Sequence, residues 1–263
     1  MSELPGSGLV ERARAIAPLI AREADEIERT RRLTPSVVAA LTENGLYRAL
    51  LPQSLGGAEA APEAFMQMLE AIAKADASTA WCLGQCSVCA MIAASLDRDT
   101  AQEIFNTAPG ILAWGAIAHE ARAVEGGYRV TARWDFASGS RQANWLGAHV
   151  RILGTDGTPR VNADGSPEVR TILFPASSAT LHDVWQAIGL AGTGTDSYEV
   201  NDLFIPSASP RSATCRPGCA SQVRSTGSAP ARPSASALPR CRSASRAPRW
   251  MRPSRWRAEN IPR

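Results

Sequence analysis

The residues best equipped for chemistry are three cysteines, Cys82, Cys86 and Cys89. Cys-x-x-x-Cys-x-x-Cys is the spacing with which radical enzymes hold an iron–sulfur cluster, but such thiolates converge in a loop. Here they fall at i, i+4 and i+7 of an uncharged, helix-length run, where cysteine packs as a small apolar side chain. Core packing is therefore expected, and no metal site is predicted. His119, His149 and His182 stand singly. Glu70 and Asp76 lie on or beside helices and read as solvated, so no two carboxylates pair for acid–base work. The run Gly189-Leu-Ala-Gly-Thr-Gly-Thr195 is as glycine-rich as a phosphate loop. No Gly-Lys-Ser/Thr follows it and a strand comes next, so a turn before that strand is the better reading.

Helices come first. Leu9, Ala13, Ile16, Ile20, Ala24 and Ile27 repeat at amphipathic spacing. Thr34-Pro35 reads as an N-cap with proline at the first helical position, opening a second helix that stops near Gly45. Pro62 opens a third, with Phe65, Met66, Leu69 and Ile72 expected on one face. Asp76–Ser95 makes a fourth and Asp97–Phe105 a short fifth. From Gly110 the period changes. Ile111–Ala118, Tyr128–Arg133, Trp145–Leu153, Arg170–Phe174 and Tyr198–Ile205 are short and rich in β-branched and aromatic residues. Gly126-Gly127, Asp156-Gly157 and Asp164-Gly165 punctuate them as turns. The fold class is therefore α+β: an all-helical domain over residues 1–108, then a small antiparallel β-domain over 109–206.

Charge divides the chain differently. Residues 207–263 hold 12 Arg, no Lys and a single acid, Glu259, a balance of +11. The preceding 206 residues keep 28 − 12 = 16 basic and 25 − 1 = 24 acidic side chains, a balance of −8. The basic segment is dense in Ser, Ala and Pro and lacks an apolar period, so it is expected to be disordered. Its composition also resembles GC-rich coding sequence read in the wrong frame. It could bind polyanions through phosphate contacts, though specific nucleic-acid binding is not expected. Met1–Gly8 lacks the basic start of a signal peptide. Ala77–Leu96 is long enough to cross a bilayer, but its Ser, Thr, Gly and Gln residues favour a buried helix. The expected compartment is the cytoplasm, with no membrane partner.

Residues 134–145, Trp-Asp-Phe-Ala-Ser-Gly-Ser-Arg-Gln-Ala-Asn-Trp, followed by Gly189-Leu-Ala-Gly-Thr-Gly-Thr-Asp-Ser-Tyr198, resemble the acyl-CoA dehydrogenase superfamily. Leu51-Pro-Gln-Ser-Leu-Gly-Gly57 and Ala75-Asp-Ala-Ser-Thr-Ala-Trp81 support the match, which covers residues 9–206. Gly126-Gly-Tyr-Arg-Val130 and Phe136-Ala-Ser-Gly139 bring it nearest to the two-component flavin-dependent monooxygenases of that fold. The resemblance implies reduced FMN or FAD as cofactor, a small-molecule substrate, and a flavin reductase or electron-transfer partner. It places Phe136, Ala137, Ser138 and Gly139 against the flavin. Phe136 would cover one ring face, and the Ser138 hydroxyl and adjacent backbone N–H would bond the N5/O4 edge. Gly139 would allow close backbone approach. His119 is the one histidine near that edge and the sole candidate for a catalytic side chain.

The departures from the family are equally specific. The Thr-Glu-x-x-Ala-Gly-Ser-Asp loop of the dehydrogenases is absent from Ala113–Arg122, which leaves FAD-dependent acyl-CoA oxidation as the secondary reading. Ala191 and Thr195 stand where the monooxygenase branch has Arg and Ser, and the missing guanidinium removes a fork-shaped donor. Intact family members are homo-oligomers with a C-terminal helical bundle after the step matched here by Ile205-Pro206. No segment of this sequence matches that bundle, so the chain is expected to be truncated and inactive. A non-catalytic fragment with a sticky helical face and a basic tail is the third reading.

Overall fold

The computed structural model describes residues 6–207 and a two-residue strand at 214–215. The rest of the basic segment, where disorder and a frameshift are expected, lies outside the described residues. Five α-helices come first: α1 (Ser7–Thr30), α2 (Pro35–Glu43), α3 (Pro62–Ala73), α4 (Ala77–Ala90) and α5 (Arg98–Phe105). Eight strands follow: β1 (Leu112–Trp114), β2 (His119–Val124), β3 (Gly127–Ala137), β4 (Trp145–Leu153), β5 (Val169–Pro175), β6 (Thr180–His182), β7 (Asp196–Pro206) and β8 (Thr214–Cys215). The α+β class and the helix-then-sheet order expected from the sequence are both present.

Two of the five helices start where a side chain satisfies their first N–H groups. Asp76 caps α4 by accepting from the Thr79 N–H at 2.6 Å, and Asp97 caps α5 through Thr100 at 2.9 Å. At α2 the Thr34 hydroxyl instead meets Ser36 Oγ at 3.0 Å, so Pro35 and not a side-chain cap sets the helix start. The face of α3 differs from expectation. Phe65, Met68 and Ile72 are buried while Met66 is 62% exposed, because the i, i+3, i+7 stripe wins over the adjacent pair. Helix α4 and the 3-10 turn after it form the one described helix long and apolar enough to cross a membrane, and 61% of it is buried within the fold.

The strands make one sheet in the order β6-β7-β3-β2-β4-β5-β8, with β1 also on β4. The expected antiparallel pattern holds for most pairs, but β1 and β2 both run parallel to β4. They share one edge of β4, end to end: β1 lies beside Trp145–Gly147 and β2 beside Val150–Leu153. The segment expected over 111–118 contains β1 but runs past its end at Trp114, and no strand was expected where β2 forms over His119–Val124. At the centre of the sheet Trp134 stacks on Tyr198 at 5.4 Å, with Phe174 beside both. The Tyr198 hydroxyl accepts the Gly115 N–H at 3.1 Å and donates to the Gly147 carbonyl. That bond ties β7 across to β1 and β4. A single hydrophobic cluster runs from Leu9, Ile20 and Ile27 of α1 through Met68 and Cys82 to Trp134, Phe174 and Tyr198.

Candidate functional site

The long β3–β7 pairing is interrupted at the position that matters. Trp134 pairs with Tyr198 and Ala137 with Asp196, so β3 spends two residues, Asp135 and Phe136, where β7 spends one. A bulge of this kind re-aims a side chain. Phe136 takes φ 60°, a left-handed conformation costly for a bulky residue, and its ring is 60% exposed. Two residues on, Ser138 is only 8% exposed, and Gly139 has φ 81°. A Cβ at Gly139 would lie 2.5 Å from Cys86 Sγ, so the loop is seated directly on α4.

Ser138 Oγ is the first link of a buried chain. It accepts from Trp81 Nε1 at 2.9 Å and lies 2.8 Å from Thr195 Oγ1. Thr195 Oγ1 lies 2.7 Å from Thr193 Oγ1, which donates to the Leu190 carbonyl at 2.8 Å. Trp81 itself is half exposed, so the buried Ser138 hydroxyl is bonded to an indole that reaches solvent. Gly192 and Gly194 let the 189–195 turn close on the helices: a Cβ at Gly192 would meet Ile27, and one at Gly194 would meet the Arg31 carbonyl at 2.6 Å. The turn reading of this run is thus the correct one.

An ionic knot borders the same loop. Arg141 Nε pairs with the buried Asp196, whose other oxygen accepts the Val184 and Trp185 N–H groups at 3.0 and 3.1 Å. Asp183 bridges Arg31 at 2.7 Å and Arg141 at 3.0 Å. Where the sequence lacks an arginine at position 191, the guanidinium beside the turn is that of Arg141, 2.8 Å from a Cβ placed on Gly194. A cavity of about 840 Å³ adjoins the knot, walled in part by Leu33, Val38, Pro109 and Leu181.

The remaining candidates lie elsewhere. His119 packs edge-on against Trp134 at 5.6 Å and makes no hydrogen bond to Phe136–Gly139 among the described residues. His149 meets Thr171 at 3.0 Å, with burial lowering its pKa, and His182 meets Glu199 at 3.0 Å. Cys82, Cys86 and Cys89 point into the core, and burial pushes the Cys82 and Cys89 thiols up to about 12. No group of three or more ligating side chains is placed to hold a metal among the described residues. Glu70 pairs with Lys74 at the surface, and Asp76 is a helix cap rather than a solvated carboxylate. Sequence reasoning missed the partnership of Trp81 with Ser138; the quoted Ala75–Trp81 segment held the residue, but its contact spans 57 positions.

The acyl-CoA dehydrogenase N-terminal domain model matches residues 9–104. An indole-3-acetate monooxygenase from Pseudomonas putida is 33% identical over 182 residues, which is 68% of this chain and 44% of that protein. The chain resembles the oxygenase subunits of two-component flavin monooxygenases. The oxygenase component of an FADH2-dependent resorcinol hydroxylase from Rhizobium sp. is 31% identical over 207 residues, 77% of this chain and 48% of that one. XiaF from Streptomyces sp., solved with FADH2 and glycerol, superposes with a TM-score of 0.69 at 29% identity, covering 78% of this chain and 50% of that one. The chain spans about half the length of the curated relatives it matches.

Proposed function

We propose that this chain carries the flavin-facing part of a reduced-flavin monooxygenase oxygenase component. The observation that carries the reading is the bulge that turns Phe136 outward beside a buried hydroxyl. A planar heteroaromatic ligand fits it. Phe136 offers an exposed ring face, Trp81 a half-exposed indole, and Ser138 an oxygen fixed by its bond to that indole. The seating of Gly139 on α4 fixes the loop's height, since any larger residue would lift it off Cys86.

A bound reduced flavin would supply the electrons with which molecular oxygen is activated for transfer to a small organic substrate. This chain's residues would bind and orient the ring, with Phe136 and Ser138 in the family's flavin-facing positions, and a separate reductase would deliver the reduced cofactor. Productive oxygen transfer needs water excluded. The exposure of Phe136, Trp81 and Val88 leaves this wall open to solvent. The described residues alone should therefore bind flavin better than they hydroxylate, and oxygen consumed by the purified chain should appear as hydrogen peroxide.

Anaerobic titration of the purified chain with reduced FMN and reduced FAD tests the reading. Saturable binding is expected, weakened about three- to tenfold by Phe136→Ala, the value of one aromatic contact. Failure to bind either flavin would reject it. Bleaching of bound oxidised flavin by an acyl-CoA in the absence of oxygen would move the chain to the dehydrogenase class.

A further inference from the structure

The hydroxyl chain beneath the bulge has a direction, and that direction fixes what Ser138 can offer a ligand. Four contacts link Trp81, Ser138, Thr195, Thr193 and the Leu190 carbonyl. Four protons are available: the Trp81 indole N–H and one on each hydroxyl. The ends are set by chemistry. Indole nitrogen only donates, and a carbonyl oxygen only accepts. Each contact therefore takes one proton, and all of them point the same way: Trp81 to Ser138, Ser138 to Thr195, Thr195 to Thr193, Thr193 to Leu190. The Leu190 carbonyl also accepts from Trp185 Nε1 at 3.1 Å, which anchors the far end. Thr193 and Thr195 are 3% and 8% exposed, so water is poorly placed to reverse them.

Ser138 thus spends its proton inward and one lone pair on Trp81. What remains is a second lone pair. Toward a ligand, Ser138 is an acceptor and not a donor. This refines the expectation that its hydroxyl donates to a flavin edge. The two oxidation states of a flavin differ at that edge: N5 is a bare acceptor in the oxidised ring and carries a hydrogen in the reduced one. We infer that Thr193 and Thr195 are positioning residues that make the site selective for reduced over oxidised flavin, by holding the Ser138 proton away from the ligand. The inference rests on the flavin reading above and adds to it the residues that set the redox preference.

The test is a pair of affinities for the full chain, measured anaerobically by calorimetry with oxidised FMN and with dithionite-reduced FMN. Reduced FMN should bind about tenfold more tightly, the worth of exchanging one favourable hydrogen bond for one lone-pair clash. Thr195→Val removes the acceptor of the Ser138 proton. Thr193→Val removes the acceptor of the Thr195 proton, which can then turn back onto Ser138. Both variants free the Ser138 proton to face the ligand, so both should bring the two affinities to within about threefold. Thr195→Ser should keep the wild-type ratio. A purely structural role would weaken both redox forms alike and leave the ratio unchanged, and that outcome overturns the inference. So do equal affinities in the wild-type chain. If neither form binds, the flavin reading itself fails. Should Thr195→Val not fold, Thr193→Val and Thr195→Ser decide the matter between them.

Discussion

Two groups of hydrogen-bonding side chains lie against α4, and they behave in opposite ways. Cys82, Cys86 and Cys89 are conspicuous in the sequence and chemically quiet in the fold: all are buried, with burial raising each thiol's pKa. Ser138, Thr193 and Thr195 are among the commonest residue types, yet they form a directed chain that ends at the half-exposed indole of Trp81. The two groups touch, since Cys82 Sγ donates to the Thr193 carbonyl at 3.4 Å. Spacing along a helix decides only which residues share a face. Whether a face does chemistry depends on what packs against it, and here the β3 loop sets its hydroxyl beside a half-exposed indole while the thiols are closed off from solvent.

Alkali should break this contrast most severely. The Cys82 and Cys89 thiols rise from an ordinary value of 9.0 to about 12 in the fold. Between those values the folded chain keeps its thiol protons and the unfolded chain loses them. Stability from this source is therefore complete below about pH 9 and falls as pH rises toward 12. Urea midpoints at about pH 8 and about pH 10 should differ clearly, and Cys89→Ala should shrink the difference. A midpoint indifferent to both would show the thiols to be more accessible than their packing implies.

Next in size is Gly139→Ala, which forces a Cβ against Cys86 at φ 81°. A left-handed penalty and overpacking together should cost about 2–4 kcal/mol in denaturant unfolding. Adding Cys86→Ala should recover the packing part and leave the backbone part, which separates the thiol side from the loop side. Thr195→Val comes third, with the bonds to Ser138 and Thr193 both lost and about 2 kcal/mol of stability. Trp81→Phe should be the mildest, under about 1 kcal/mol, because the indole is half exposed. If Trp81→Phe proves costlier than Thr195→Val, the indole contributes to folding as well as to the hydroxyl chain.

Much of the architecture was legible because it rests on local rules. Proline at the starts of α2 and α3, aspartates ahead of α4 and α5, and the Gly126-Gly127 turn all sit where chain-local chemistry needs them. The parallel placement of β1 and β2 on β4 was not legible, since strand direction is set by partners about 30 residues away rather than by pattern. Met66 shows the same limit within a helix, where two apolar neighbours compete for one buried face. At the candidate site, Phe136 and Ser138 were singled out through a resemblance, but the strained bulge beneath Phe136 left no trace in residue type. The Trp81 and Thr195 links to Ser138 each span 57 positions. Such pairings exist only once the sheet has closed on the helices.

The continuous cluster from Leu9 to Tyr198 has a further consequence. The change of secondary structure near residue 108 is a seam in the sequence and not in the interior. Helices stripped of the sheet would bare the buried sides of Ile27, Met68 and Cys82, and the sheet alone would bare Trp134. Calorimetry of the folded body should then show one melting peak, and limited proteolysis should not release a stable helical piece.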